Sequence, residues 1–127
     1  MVVDRPGQPP PPPVVVAALV DSGAGRTTFP LEVARDLGIH LHELTFHRDG
    51  GRGVKSRFDL WTSSVPVRAE VSRLDPATGI DSTWGPGFVL KPTFIDDDSF
   101  LLGRADFFSV FTVTFEEGRG RVFHLDV

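Results

Sequence analysis

The segment with the clearest chemical content is an aspartate that directly follows an apolar run. Residues 14–20 are all apolar, and they end at Asp21-Ser22-Gly23-Ala24. Burying a lone carboxylate is costly. The sequence here therefore indicates either a turn in which Asp and Ser cap the next helix, or a carboxylate held at the end of a strand for chemistry. These four residues alone do not separate the two interpretations.

A second apolar segment ends in a similar way. Leu101 and Leu102 are followed by Gly103 and then by residues 104–109, which predict one or two helical turns. The order of parts is an apolar strand ending in Asp-Ser-Gly-Ala, a glycine-rich hairpin, and an apolar pair followed by glycine and a helix. This order is more specific than either half alone.

Three other clusters have simpler explanations. His40 and His42 would share a strand face near His47, but no ligand set with zinc-site spacing completes them. Asp96–Asp98 lack the alternating acids and closing Glu of a calcium loop. Gly23-Ala24-Gly25 lacks the third glycine of a dinucleotide site and the Lys-Ser/Thr of a P-loop. We therefore expect surface histidines, a solvated acidic turn, and no metal or cofactor.

The composition fits one folded domain. The chain has 127 residues, 40% of them hydrophobic, with 11 Phe and 2 Trp, within the roughly 100–150 residues of a common domain. A net charge of −4 argues against a general nucleic-acid binder. The absence of Cys excludes a disulfide framework and a cysteine nucleophile.

The longest apolar run, residues 14–20, is far short of the ~20 residues of a membrane span. It also lacks the charged leader of a signal peptide. We expect a cytoplasmic protein without nucleic-acid or membrane partners.

Hydrophobic patterning predicts a mostly β fold with two small helices. Residues 14–20 predict a strand buried on both faces, and residues 30–37 predict a short helix that ends at Gly38. Asp49–Gly53 predicts the tip of a hairpin. Further strands are predicted at 41–46, 54–61, 65–71, 88–95, 111–115 and 123–127, with a loop over 74–87. Five prolines at 9–13 mark residues 1–13 as a Pro-rich spacer before a domain at 14–127.

These parts resemble the retroviral-type (retropepsin-like) aspartic proteases, and residues 30–39 and 102–108, running into 113–115, look like the bacterial members. The resemblance is carried by Ala18-Leu19-Val20-Asp21-Ser22-Gly23-Ala24 with Thr27 after it, by Gly50-Gly51-Arg52-Gly53, and by Phe100-Leu101-Leu102-Gly103-Arg104. It runs in order through residues 14–127. It implies an aspartic endopeptidase with the acid protease fold, a closed β-barrel or sandwich with one or two short helices.

The chemistry of that family needs two carboxylates that share one proton, because two like charges a few Å apart cannot both ionise. This chain contains one Asp-Ser-Gly, and Asp49, Asp81 and Asp96–Asp98 lack that turn after an apolar strand. The resemblance therefore implies a homodimer in which the catalytic Asp21 meets its symmetry mate. The substrate would be an extended peptide or protein.

The resemblance also assigns supporting roles. Ser22 would brace the dyad across the twofold axis, and Gly23 would let the backbone approach the substrate. The supporting residues of the active-site loop would be Ser22, Gly23, Ala24, Leu101, Leu102 and Gly103. The flap and substrate-binding residues would be Gly50, Gly51, Gly53, Gly25 and Arg26.

Three features depart from the family pattern. Gly25 and Arg26 stand where many members carry a small polar or acidic residue, and the 74–87 loop is long. No full strand precedes residues 14–20, and residues 9–13 cannot supply one because proline cannot donate to a sheet ladder. The alternative function is a catalytically weak or inactive retropepsin-like module for peptide binding or dimerisation.

Overall fold

The chain is mostly β with two short helices, as the sequence predicts. The computed structural model describes residues 1–53, 56–75, 77, 79–116 and 122–127. The strands are β1 Leu19–Val20, β2 Thr28–Pro30, β3 Leu44–Arg52, β4 Arg57–Ser63, β5 Val67–Asp75, β6 Gly79–Leu90, β7 Thr93–Ile95, β8 Leu101–Leu102, β9 Thr112–Glu116 and β10 Val122–Asp126. The helices are α1 Leu31–Asp36 and α2 Phe107–Val110, and Leu41–Glu43 forms a 3₁₀ turn.

Six strands form one open sheet in the order β1-β8-β2-β7-β4-β3, and β5–β6 and β9–β10 are separate two-stranded hairpins. Strands β1 and β3 are the edges of the large sheet, and within the described residues they do not pair with each other. The prediction of a closed barrel is therefore wrong for this chain. Closure needs a continuous ladder between the edge strands, and β1 offers only two paired residues.

The first helix follows its sequence signals. Pro30 precedes it, Gly38 follows it with φ +73°, and Val33, Ala34 and Leu37 are buried against the core. A left-handed residue after the last turn is the common role of glycine at a helix end. No helix in the described ranges is long and apolar enough to cross a membrane.

The apolar run before Asp21 is not buried on both faces. Every second residue from Val14 to Val20 is partly buried against the core, whereas Val15 and Leu19 are 63% and 64% exposed. The sequence prediction was wrong here because, among the residues that the structure describes, no second layer covers the outer face of this segment. Only Leu19–Val20 joins the sheet.

The predicted loop over 74–87 is instead most of a long hairpin arm. β5 pairs with β6 from Val67↔Leu90 to Asp75↔Gly79. The loop was predicted from residues 75–76, 78–79 and 85–87, of which 76 and 78 lie outside the described residues. Residues 85–87 lie in a bulge, since the register passes from Ala69↔Phe88 to Val71↔Trp84. A bulge accommodates Gly and Pro without ending the ladder. The predicted strand 88–95 is broken at Lys91 and Pro92, because β6 ends at Leu90 and β7 begins at Thr93.

The C-terminal part follows the sequence more closely. The predicted helical turns appear as α2, and the predicted terminal hairpin appears as β9 and β10, with Phe115 opposite Phe123. The predicted turn at 118–120 lies outside the described residues. Phe107 and Phe111 at α2 are almost fully buried, so this end of the chain closes the core behind β8.

The first residues of the chain contact the domain directly. Val2 and Arg68 exchange two backbone hydrogen bonds of 2.9 Å, and Val3 is part of the core at 3% exposure. The Asp4 carboxylate accepts hydrogen bonds from the Arg68 guanidinium, and these bonds lower the pKa of Asp4. This segment therefore runs beside β5.

Arg5 connects the N-terminal segment to the 3₁₀ turn through hydrogen bonds. Its guanidinium donates to both carboxylate oxygens of Glu43, at 2.6 and 2.9 Å, and to the carbonyl of Gly38 at 2.8 Å. The Arg5 hydrogen bonds, and then the bond from the His40 backbone N–H, lower the pKa of Glu43 to about 2. A two-pronged contact of this kind is among the stronger ion-pair geometries.

Candidate active site

Asp21 stands where strand β1 ends. β1 lies parallel to β8, with Leu19 opposite Leu101 and Val20 opposite Leu102. The backbone N–H of Asp21 donates to the Leu102 carbonyl at 3.0 Å, which extends the ladder to the aspartate itself. The carboxylate is therefore carried by backbone that the sheet holds in place, at a half-buried position.

The turn after Asp21 orients its carboxylate. The Gly23 N–H donates to Asp21 Oδ1 at 2.8 Å, and the Ala24 N–H donates to the Asp21 carbonyl at 3.2 Å. A side chain on Gly23 would begin 3.1 Å from Oδ1, so glycine allows this close approach. In the part of the chain that the structure describes, Oδ2 accepts no hydrogen bond. One carboxylate oxygen is held and the other is open.

The predicted supporting segment lies directly behind this turn. The Arg104 N–H donates to the Ala24 carbonyl, and the Ala105 N–H donates to the Gly25 carbonyl, both at 3.0 Å. A Cβ on Gly103 would lie 2.3 Å from the Arg26 carbonyl carbon, so no larger residue fits there without moving the backbone. The structure thus brings residues 101–103 together with residues 21–27, which connect β1 to β2 and are called the Asp21 loop below.

A buried hydrogen-bond cluster that was not among the predicted site residues braces this contact. The Thr27 hydroxyl donates to Asp106 Oδ1 at 2.6 Å and accepts from the Gly103 N–H at 3.2 Å. Asp106 also accepts from the N–H groups of Phe107 at 3.0 Å and Lys91 at 3.2 Å. Thr27 is fully buried and Asp106 is 7% exposed. Asp106 therefore caps α2 and also ties it to the start of β2 and to the β6–β7 connection.

The sequence contained one signal for this cluster. Asp106 directly precedes a mostly apolar run, residues 107–111. It is the N-cap residue of α2, a position at which Asp is favoured. Its contact with Thr27 joins residues 79 positions apart, so no local pattern reveals it. Ser22, by contrast, is an exposed residue of the turn, and its predicted contact across a twofold axis stays a prediction.

The glycine-rich segment is not the tip of its hairpin. β3 begins at Leu44, after the 3₁₀ turn, and continues through the glycines to Arg52, which pairs with Arg57. The Gly53 N–H donates to the Ser56 carbonyl, so the two strands are still hydrogen-bonded beyond the glycines, and residues 54–55 lie outside the described residues. The prediction placed the tip too early because the glycines occupy an irregular stretch of β3, where the register shifts between His47 and Gly51.

Close packing explains two of these glycines. A Cβ on Gly51 would lie 2.1 Å from the Phe58 ring, and one on Gly50 would lie 2.7 Å from the His47 Cβ. Phe46 and Trp61 pack on each other across the same hairpin, with ring centroids 5.1 Å apart. Because β1 and β3 are opposite edges of the sheet, that sheet does not bring the hairpin beside Asp21.

The histidines do not assemble into a metal site in the described ranges. His40 and His42 stack with ring centroids 5.4 Å apart, and His47 hydrogen-bonds the Thr62 hydroxyl. No group of three or more side chains that could hold a metal occurs among the described residues. The acidic residues Asp96–Asp98 are exposed.

Compared with known protein families, with curated proteins and with solved structures, the chain matches none. The interpretation of the site therefore depends on the motifs and on the geometry around Asp21.

Proposed function

We propose that this chain is a retropepsin-like aspartic endopeptidase that acts as a homodimer, with one Asp21 from each subunit. The observation that carries the proposal is the position of Asp21. It ends a strand of the sheet, its Oδ1 is held by the Gly23 N–H, and its loop is fastened to residues 103–106. The turn does not cap a helix, because the element that follows it is β2 and the N-cap residue of α1 is Pro30.

The proposed reaction uses the two carboxylates as an acid and a base. The ionised Asp21 takes a proton from a water molecule, and the water oxygen forms a bond to the carbonyl carbon of the substrate. The protonated Asp21 of the other subunit gives its proton to the carbonyl oxygen. The tetrahedral intermediate then returns a proton from its hydroxyl to a carboxylate. The Asp21 that took the proton from water gives it to the peptide nitrogen, the C–N bond breaks, and the amine leaves while the other product is a carboxylic acid. One Asp21 is then ionised and the other protonated, as at the start.

The local geometry suits this pairing. The hydrogen bond from Gly23 fixes one oxygen of Asp21 and leaves Oδ2 open, and the half-buried position reduces the screening of charge by water. Two such carboxylates brought together would share a proton, since they cannot both ionise at short range.

The proposal includes the acid protease fold of that family, without the closed barrel. Strand β8 pairs in parallel with β1 and in antiparallel with β2, so the Asp21 loop connects two strands that flank the same central strand. This places the loop over the end of β8, where Gly103 contacts it. The substrate would bind as an added strand, and the hairpin that carries Gly50, Gly51 and Gly53 would act as its flap.

The test is cleavage of a diverse peptide mixture from about pH 4 to 7, the range in which a shared-proton pair is expected to work. Asp21→Asn should abolish cleavage and leave the thermal unfolding transition in place, because the amide keeps the shape of the side chain. Asp96→Asn is the matched control, since Asp96 is exposed and outside the site. Cleavage that persists in the Asp21→Asn protein would end the proposal.

One observation favours the inactive binding module as a second candidate. The Phe58 ring covers Gly51 so closely that a Cβ there would overlap it, which makes the hairpin a packed element and not a free flap. Peptide binding without cleavage at any pH would support this candidate.

A further inference from the structure

A pocket beside the Asp21 loop is lined by two cationic side chains. Its volume is about 250 Å³, and its walls are Arg26, Val89, Lys91, Ala105, Asp106 and Ser109. Small-molecule sites commonly occupy roughly 300–1,000 Å³. This pocket, called the Arg26–Lys91 pocket below, therefore suits a single side chain better than a whole cofactor.

The two cations have no partner of opposite charge in the part of the chain that the structure describes. Neither the Arg26 guanidinium nor the Lys91 ammonium takes part in a salt bridge or side-chain hydrogen bond there. The pocket's one carboxylate, Asp106, is 7% exposed. Its oxygens already accept hydrogen bonds from Thr27, Lys91 N–H and Phe107 N–H. The lining therefore carries two positive charges and one negative charge, a net charge of +1, in a chain whose net charge is −4.

The other walls of the pocket suit the stem of an acidic side chain. Val89 is 53% exposed, and it and Ala105 provide apolar surface against which methylene groups can pack. The Ser109 hydroxyl already donates to the Asp106 carbonyl at 2.6 Å. Recognition of the negative charge therefore falls to Arg26 and Lys91.

The pocket is close enough to Asp21 to be reached by the same peptide. Arg26 is five residues after Asp21, and the Ala105 N–H donates to the Gly25 carbonyl at 3.0 Å. At about 3.3–3.6 Å per residue, the Cα atoms of Asp21 and Arg26 lie within roughly 18 Å of each other. An extended peptide advances by a similar distance per residue. A side chain in the pocket would thus lie within about six residues of the bond at Asp21.

We propose that the Arg26–Lys91 pocket binds the carboxylate of an acidic residue in the peptide, so that the substrate class is acidic peptides. Its place in a substrate rests on the proposed protease function. The guanidinium can give a carboxylate two parallel hydrogen bonds, and the ammonium adds a compact charge on a flexible stem.

The first arm of the test measures binding with Asp21→Asn protein, which keeps the peptide intact. Two fluorescein-labelled pools of random decapeptides are compared by fluorescence anisotropy, one with Glu fixed at a given position and one with Gln. The Glu pool should bind roughly 5- to 10-fold more tightly at its best position. Arg26→Gln with Lys91→Gln should remove that difference. Arg35→Gln, which removes an exposed charge on α1, should preserve it.

The second arm measures cleavage of the same pools by the parent protein. A Glu preference in binding without cleavage would contradict the protease proposal and leave the pocket intact. Cleavage with equal use of Glu and Gln pools would overturn the pocket and leave the protease intact. A Glu preference that survives Arg26→Gln with Lys91→Gln would overturn the pocket as well.

Discussion

At the scale of single residues, the support for Asp21 comes from a buried polar pair that does not touch it. Thr27 and Asp106 lie behind the loop, and together they join the start of β2, the N-terminus of α2 and the backbone of Gly103. Buried polar groups are tolerated when their hydrogen bonds are satisfied. Within the described residues, no buried side-chain nitrogen or oxygen lacks a hydrogen-bond partner. The pair therefore acts as a rigid link between the two halves of the candidate site.

We predict that Thr27→Val lowers the free energy of unfolding by about 1.5–3 kcal/mol, the usual size for a hydrogen bond to a charged group. Valine keeps the shape of the side chain but cannot donate to Asp106 or accept from Gly103. Thr28→Val is the control, because its half-buried hydroxyl makes only a 3.3 Å contact with the Arg26 carbonyl. Urea unfolding of the three proteins gives the comparison, and equal losses in both variants would contradict the prediction.

The sequence alone singled out Asp21 as a candidate residue but did not single out Asp106. The two differ in how far along the chain the residues that indicate their roles lie. Asp21 directly follows an apolar run. This pattern is visible locally because burying a lone carboxylate costs free energy. Asp106 owes its importance to partners 79 and 15 residues away along the chain. The same limit applies to the Arg26–Lys91 pocket, because Arg26 and Lys91 are far apart in the sequence and line one pocket only in the folded chain.

At the scale of elements, patterning succeeded where one face of an element is buried. The α1 stripe and the alternation of Val67 and Ala69 against exposed Arg68 were predicted and are present. Glycine was less informative. Gly85 and Gly87 suggested a loop and lie in a bulge of β6, and Gly50 and Gly51 suggested a turn and lie within β3. A residue that permits a turn also permits a bulge or a close ring contact.

The contact between Arg5 and Glu43 links the N-terminal segment to the domain. It also makes part of the stability of the folded chain depend on pH. In the folded chain the pKa of Glu43 is lowered to about 2 from an ordinary value of 4.5. A lowered carboxylate pKa contributes stability that is present above the unfolded pKa and is lost as the pH falls through the folded pKa. The window for this loss is therefore from about pH 4.5 down to about pH 2.

We predict that the melting temperature of Glu43→Gln lies below that of the parent protein at pH 6, and that the two converge between pH 4.5 and 2. Arg5→Gln should cause a similar loss at pH 6, and the double variant should lose little more than either single variant, because both changes break one contact. Melting curves across the pH range provide the measurement. A difference that stays constant down to pH 2 would show that the charge on Glu43 is not what stabilises the segment.

At the scale of the whole molecule, a single chain supplies one of the two carboxylates that the proposed reaction needs. It carries one Asp-Ser-Gly, and the large sheet is open at both edges. Exposed apolar side chains occur on the segment before Asp21, at Val15 and Leu19, and on the C-terminal hairpin, at Phe115 and Phe123. Apolar surface of this kind often marks a contact with another chain. The proposed activity should therefore depend on association, and activity per chain should rise with protein concentration.

Mixing the parent with the Asp21→Asn protein separates a shared dyad from a site complete in one chain. If subunits exchange freely, an equal amount of variant should reduce the activity of the parent to about one half, because mixed dimers then take up half of the parent chains and carry a single carboxylate. A larger excess should reduce it further. Sedimentation should show a mass that rises from 13.9 kDa towards about twice that value over the same concentration range. Activity that is proportional to parent protein and indifferent to the variant would mean that each chain works alone, and the homodimer would have to be abandoned.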